Sequence, residues 1–257
     1  MNKHFMKFIL FSLLIFSATP HLFAEQGMPS IEQAVQKNKP IFIFFYKDQN
    51  ERTLRSQKVF DQVSEKIGDQ AVFVKVKADD PSENPIIEKF NLKRSPMPFV
   101  LALAPNGAVT GSFSSSFTEQ QLTDSLVSSA MASCLKALQD KKLVFLCLQN
   151  EQTLNNAAAL QGVKDFKADY RFGGATEIIM INPSDIQEQN FLSQLAIDTH
   201  SNEATTVFIA PPAETIGQYK GATSKDRFIS DLQNAVSGCC GPGGCGPGGC
   251  CPGGKCK

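Results

Sequence analysis

Apolar positions along the chain fall into two repeating rhythms. Ile31, Ala34 and Val35 share one helical face, and Ser30 with Gln33 is placed to form a capping box at its start. Pro40 ends that segment. Ile41-Phe42-Ile43-Phe44-Phe45 then runs unbroken, as a strand buried on both faces does. Val59, Phe60, Val63 and Ile67 form the stripe of a second helix, and Val72 to Val76 reads as a second strand. A short helix over Asn84 to Phe90 leads to a strand at Phe99 to Leu103. Pro105-Asn106-Gly107 turns the chain into Ala108 to Phe113, giving a hairpin. Thr118 and Gln121 cap a closing helix, with Leu122, Leu126 and Ala130 inward, in a helical stretch reaching Gln139.

The rhythm then starts again. Gln49-Asn50-Glu51-Arg52-Thr53-Leu54 recurs as Gln149-Asn150-Glu151-Gln152-Thr153-Leu154, each copy after an apolar strand. Ala104-Pro105 matches Ala210-Pro211, and from there Gly111, Phe113, Leu122 and Leu126 match Gly217, Tyr219, Phe228 and Leu232 without a gap. The same order of elements around these matches indicates an internal duplication. The second copy has expected strands at Leu143 to Leu148, Thr176 to Ile181, Thr206 to Ile209 and Thr215 to Tyr219. Its helices are expected at Thr153 to Phe166, Ser184 to Leu195 and Ser224 to Val236, and its first helix is supplied by the Thr118 to Gln139 stretch. The predicted class is α/β: two tandem units, each a mixed sheet flanked by helices, over 25–139 and 140–237.

The order helix, strand, helix, strand, helix, strand, strand, helix resembles the thioredoxin fold. Phe44-Phe45-Tyr46 ends the first strand, where thioredoxins have an aromatic pair. Ser95-Pro96-Met97-Pro98-Phe99 precedes the third, where that superfamily places a cis-proline. The resemblance therefore implies a cis bond at Met97-Pro98. It also implies a Cys-x-x-Cys pair where the first strand meets its helix, and there the chain departs from the pattern. Asn50 and Thr53 stand about where the cysteines would be, Asn150 and Thr153 take the corresponding places in the second copy, and the proline becomes Ala204. Neither loop can supply a thiolate or a disulfide. Helix capping accounts for Asn, Glu and Thr at such a position; the alternative is a polar binding patch. Non-catalytic thioredoxin-like domains of protein disulfide isomerases bind polypeptide clients, so the resemblance implies polypeptide or redox partners.

Of eight cysteines, Cys134 falls on the apolar face of the linking helix and Cys147 within a strand, both readable as small core residues, with a bond between them left open. The other six, Cys239, Cys240, Cys245, Cys250, Cys251 and Cys256, lie in a glycine- and proline-rich tail over 238–257 that lacks core-forming residues. Thiolates on such a chain can converge on a thiophilic ion, Cu(I) or Zn(II), which would supply the folding energy the sequence lacks. The tail resembles metallothionein-like clusters and does not match paired structural zinc spacing. Disulfide exchange or cross-linking through the same thiols is the competing reading.

Lys3 and Lys7, the apolar run Phe8 to Ala18, and Leu22-Phe23-Ala24 read as a signal peptide over 1–24, cleaved before Glu25. An exported location, periplasmic or secreted, follows, without stable membrane insertion. With Lys plus Arg at 25 and Asp plus Glu at 25, nothing favours nucleic acid. No catalytic or cofactor-binding residue stands out. The expected function is an exported, redox-inactive thioredoxin-like scaffold whose tail holds a thiophilic metal. The alternatives are a thiol–disulfide oxidoreductase, isomerase or cross-linker working through the tail, and a non-catalytic, chaperone-like client binder.

Overall fold

A computed structural model describes residues 27–237. The expected signal peptide at 1–24 and the six tail cysteines lie outside the described residues. Helix α1 (Gly27–Gln36) leads to β1 (Ile41–Tyr46), α2 (Glu51–Ile67), β2 (Val72–Lys77), α3 (Asn84–Lys89), β3 (Phe99–Leu103), β4 (Val109–Ser114) and α4 (Glu119–Thr123). The series repeats as α5 (Ser129–Gln139), β5 (Leu143–Leu148), α6 (Asn156–Ala168), β6 (Thr176–Ile181), α7 (Gln189–Gln194), β7 (Thr205–Ala210), β8 (Glu214–Lys220) and α8 (Lys225–Ser237). Each copy builds one four-stranded sheet, ordered β2-β1-β3-β4 and β6-β5-β7-β8. In each, the first pair is parallel and the rest antiparallel.

Strand β1 is central, and its alternation serves two cores. Ile41, Ile43 and Phe45 meet Ile31 and Ala34 of α1 and Ile86 and Ile87 of α3. Phe42 and Phe44 point the other way, against Phe60 and Val63 of α2 and Leu122 of α4. Both faces are covered, so the run needs no polar residue. Strand β5 repeats this, with Val144, Leu146 and Leu148 in one cluster and Phe145 and Cys147 in the other.

Sheet register fixes which residues correspond. The hairpins carry the same irregularity, at Ala102/Leu103 and Phe208/Ile209, an offset of 208 − 102 = 106. Phe45 lies opposite Phe99 and Leu148 opposite Thr205. With Phe99 equivalent to Thr205, β1 and β5 are therefore offset by 148 − 45 = 103. On this register Cys147 takes the place of Phe44, and Gln149 that of Tyr46.

Three expectations are corrected. Ser30 does not cap α1: it is buried inside the helix, Val35 is exposed, and the helix begins at Gly27, whose N–H donates to Glu83 Oε2 at 2.9 Å. The Thr118–Gln139 stretch is two helices. Thr118 and Gln121 form both halves of a capping box on α4, and Ser128 then accepts from Met131 N to start α5. The chain can restart there because a serine side chain supplies a new cap. Leu122 and Leu126 consequently belong to the first unit's core and Ala130 and Cys134 to the second's. Helix α5, which the expected boundary at residue 139 counts with the first unit, thus gives its buried face to the second unit's core. In the second copy α6 begins at Asn156 rather than Thr153, and α7 is confined to Gln189–Gln194.

The units touch through α5. Ala132 packs against Ala104 and Ala108 of the first hairpin, flanked by Val127 and Leu135. Asn106 Nδ2 donates to Ala132 O at 2.9 Å. The Gln139 amide accepts from Val109 N at 2.9 Å and donates to Val109 O at 2.8 Å, pairing with edge strand β4 as a neighbouring strand would.

Candidate functional site

In each unit the central strand hands over to a helix at the carboxyl end of the sheet, where helix dipole and exposed backbone favour chemistry. In the first unit, residues 47–50 cross the gap. Asn50 is extended (φ −69°, ψ 170°) and accepts from Thr53 N at 3.0 Å, so it is the N-cap of α2. Its amide donates to Asp48, and Glu51 adds an acidic side chain to the first turn, paired with Arg55. Thr53 is turned inward at 2% exposure. Ser56 donates to Ser115 O at 3.2 Å, while Ser115 N donates to Pro98 O at 2.9 Å, tying α2 to the segment entering β3. The Met97–Pro98 bond is cis. Pro98 is buried and Met97 half-buried against the first core.

The second junction is built differently. Helix α2 starts 51 − 46 = 5 residues after Tyr46, and α6 starts 156 − 149 = 7 residues after Gln149. The repeated hexapeptide thus enters earlier relative to its strand. Counted from the paired positions Phe45 and Leu148, Asn150 lies three residues nearer its strand than Asn50 does, yet its Oδ1 accepts from Thr153 N as Asn50 Oδ1 accepts from Thr53 N. Asn155, left-handed at φ 64°, is the residue before α6 and makes no side-chain cap. Asn150 instead closes a loop upon itself: its Oδ1 accepts from Gln152 N at 2.9 Å and Thr153 N at 3.2 Å. Asn156 Nδ2 donates to Asn150 O at 2.7 Å, and Thr153 Oγ1 accepts from Asn150 N at 2.8 Å. Asn150 Nδ2 reaches Asn182 Oδ1 and Ser184 Oγ, each at 3.1 Å. Beside this loop lies an open polar cavity of about 420 Å³, lined by Gln149, Asn150, Glu151, Gln152, Asn182 and Ser184.

Two features escaped the sequence reading. Glu83 and Glu188, both buried, clasp the first helix of their units. Glu83 accepts from Gly27 N, and Glu188 accepts from Ala130 N at 3.1 Å and from the Ser128 hydroxyl at 2.5 Å. Each reaches a partner 56 to 60 residues away, beyond any local pattern. The other is a one-residue parallel bridge between Leu154 and Glu203. A sequence signal for it existed: Ala204, unlike a proline, carries an N–H that needs an acceptor once buried.

Cys134 and Cys147 are free thiols in clusters on opposite faces of the second sheet, so they do not pair. Burial pushes them up to about 11 and about 12. Neither is a nucleophile at neutral pH. His200 is exposed, its N–H bonded to Asp198. Among the described residues no three His, Cys, Asp or Glu side chains group to hold a metal, and no helix is long and apolar enough to cross a membrane.

A family model described as a thioredoxin-like domain matches residues 21–124, ending where the structure breaks between the units. No curated protein matches the chain. Solved structures similar to it include the first two thioredoxin domains of Eps1p from Saccharomyces cerevisiae, 11% identical, covering 81% of this chain and 96% of that one at a TM-score of 0.31. Thioredoxin from Schistosoma mansoni is 23% identical over 43% of this chain and 91% of its own, with a TM-score of 0.31. Thioredoxin O2 from Arabidopsis thaliana is 18% identical over 37% and 79%, with a TM-score of 0.32. With the strand order of both sheets, the family match identifies the architecture as a tandem thioredoxin-like fold.

Proposed function

We propose that this protein is an exported polypeptide-binding scaffold that does no thiol–disulfide exchange at its strand-to-helix junctions, and whose tail thiols hold a thiophilic metal ion. The observation that carries the first part is the N-cap of α2. Asn50 and the inward-facing Thr53 occupy the position where exchange would need a thiolate, and no cysteine precedes Cys134 in the chain. In the second unit the loop is closed by its own hydrogen bonds. Both thiols in the folded units are buried, and burial raises their pKa values, so sulfur chemistry is left to the thiols of Cys239–Cys256. Thioredoxin-like domains often bind client proteins, and the first unit retains the means to do so: Met97 is half-buried beside a proline and its backbone groups have no hydrogen-bond partner among the described residues. Extended polypeptides recognise such backbone.

Export rests on the N-terminal sequence alone. Metal binding rests on six thiols in a segment without core-forming residues. Insulin reduction and metal content, measured on anaerobically purified protein with and without residues 238–257, test the reading. Expected are no insulin reduction by either form and one or more Cu(I) or Zn(II) per chain only with the tail. Tail-dependent insulin reduction would instead establish an oxidoreductase acting through those cysteines. Reduction that survives tail removal would overturn the inert junctions.

A further inference from the structure

The two sheets differ on the side of their parallel pair. Strands β2 and β6 are the outer strands there, each bonded along one edge alone. Backbone direction on β6 follows from Ile181, whose carbonyl accepts from Gln149 N at 3.0 Å, toward β5. Alternate residues face β5 in the same way, so Ile178 and Met180 turn their N–H and C=O groups outward. Those groups have no partner among the described residues. The Met180 side chain is 49% exposed. Exposed Tyr170 and Ile186 stand in the connections that enter and leave the strand.

The first unit supplies the comparison. Val72 lies opposite Ile41 and Glu177 opposite Val144, so with β1 and β5 offset by 103 the outer strands are offset by 177 − 72 = 105. Met180 thus takes the place of Lys75, Ile178 that of Phe73 and Asn182 that of Lys77. On β2, Val72 N donates to Pro40 O at 2.8 Å, and just past the strand Ala78 N donates to Tyr46 O at 2.7 Å, which leaves Phe73, Lys75 and Lys77 outward. Lys75 pairs with Asp61 at 2.8 Å and Lys77 with Asp79 at 3.6 Å. Lysines on an outer strand keep it from pairing with another chain. In the second unit neither lysine remains, and Ile178-Ile179-Met180-Ile181 is an uncharged run that suits a strand. A folded chain that leaves such an edge unguarded offers it to another strand.

We propose that β6 pairs antiparallel with β6 of a second copy of this chain, about a two-fold axis at Ile179. Ile178 then lies opposite the partner's Met180, and each such pair exchanges both of its N–H···O bonds. This register is self-complementary. Met180 gains an apolar neighbour on its own face of the sheet, and Glu177 stands opposite the partner's Ile181, so like charges do not meet. Glu177 is already paired within its own unit, to Lys142 at 3.2 Å, and the edge therefore calls for no acidic or basic partner. A two-fold contact closes on itself and leaves no free β6 to recruit a third chain. The second sheets of the two chains, four strands each, become one continuous sheet. The contact uses neither junction and no tail cysteine, so it does not depend on what the first unit or the tail binds.

The test is sedimentation of the full chain, with reductant and chelator present so that neither disulfides nor metal bridges through the tail contribute. The mass should be twice that of a single chain. Amide exchange at Ile178 and Met180 should be slow and should quicken on dilution, while Phe73 and Lys75 exchange fast at every concentration. Met180→Lys copies the first unit's guard at a half-exposed position and should halve the mass. If that variant misfolds, the exchange pattern of the unmodified chain decides. A single-chain mass at every concentration, a dimer that survives Met180→Lys in a folded protein, or a dimer with fast exchange at Ile178 and Met180 overturns the pairing. So does a monomer whose Ile178 and Met180 amides are protected only when reduced, carboxymethylated α-lactalbumin is added, a result that makes the edge a site for unfolded polypeptides.

Discussion

Phe44 and Cys147 occupy one position in two versions of the same core. In the first unit Phe42 and Phe44 face Ala102 and Val100; in the second Phe145 and Cys147 face Phe208 and Thr206. One aromatic ring has moved from the central strand to its neighbour, and Phe208 now stacks on Phe145 with ring centroids 4.2 Å apart. Total volume is kept, which is what dense packing demands. Phe208→Ala should cost about 3–5 kcal/mol in urea unfolding, and adding Cys147→Phe should recover a large part of it. A double variant no more stable than Phe208→Ala would show that the exchange of places is coincidental. The buried thiols also set an alkaline limit. Unfolding lets Cys134 and Cys147 ionise near 9.0, whereas in the fold they ionise at about 11 and about 12. Their contribution is complete below pH 9 and is lost as pH rises through the folded values, worth about 3 kcal/mol for Cys134 alone. Urea midpoints should therefore fall from pH 9 upward, less steeply in Cys134→Ala. At pH 7, iodoacetamide should leave both residues unlabelled in the native chain.

Elements were legible where burial follows a local period. The run Ile41 to Phe45 and the stripe of Phe60 and Val63 announced β1 and α2 because alternation and helical spacing are local properties. The hexapeptide repeat marks the duplication, but its two copies sit in different surroundings. Identity aligns letters, whereas a sheet aligns faces, and Asn50 caps a helix while Asn150 ties a loop. Asn50→Ala should lower stability by about 1 kcal/mol through the lost cap. The closing clasps were invisible since each joins residues more than fifty apart. Glu188→Ala should cost more than the Asn50 change, about 2–3 kcal/mol, because it strands the buried N–H of Ala130 and the Ser128 hydroxyl together. Equal losses for the two variants, measured by chemical denaturation, would argue against the clasp.

At the scale of the whole molecule, α5 decides how the halves relate. It is the first helix of the second unit, yet it lies on the hairpin of the first, with Gln139 covering the edge of β4. Calorimetry of the intact chain should show closely coupled unfolding. Asn106→Ala combined with Gln139→Ala should separate it into two transitions and speed proteolysis between Asp124 and Ser128. Coupling unchanged by the double substitution would place the connection elsewhere.

The anchor supplied by Asn106 has one further implication. Its counterpart, 106 + 106 = 212, is Pro212, in a turn whose Pro211–Pro212 bond is cis. Proline has no amide to offer a following helix. A duplication that stacks each new copy on the preceding turn could in principle continue without end, as solenoids do. Here the second turn has lost the group that seated the first joint, so Pro212 cannot hold a following helix by a side-chain amide as Asn106 holds α5.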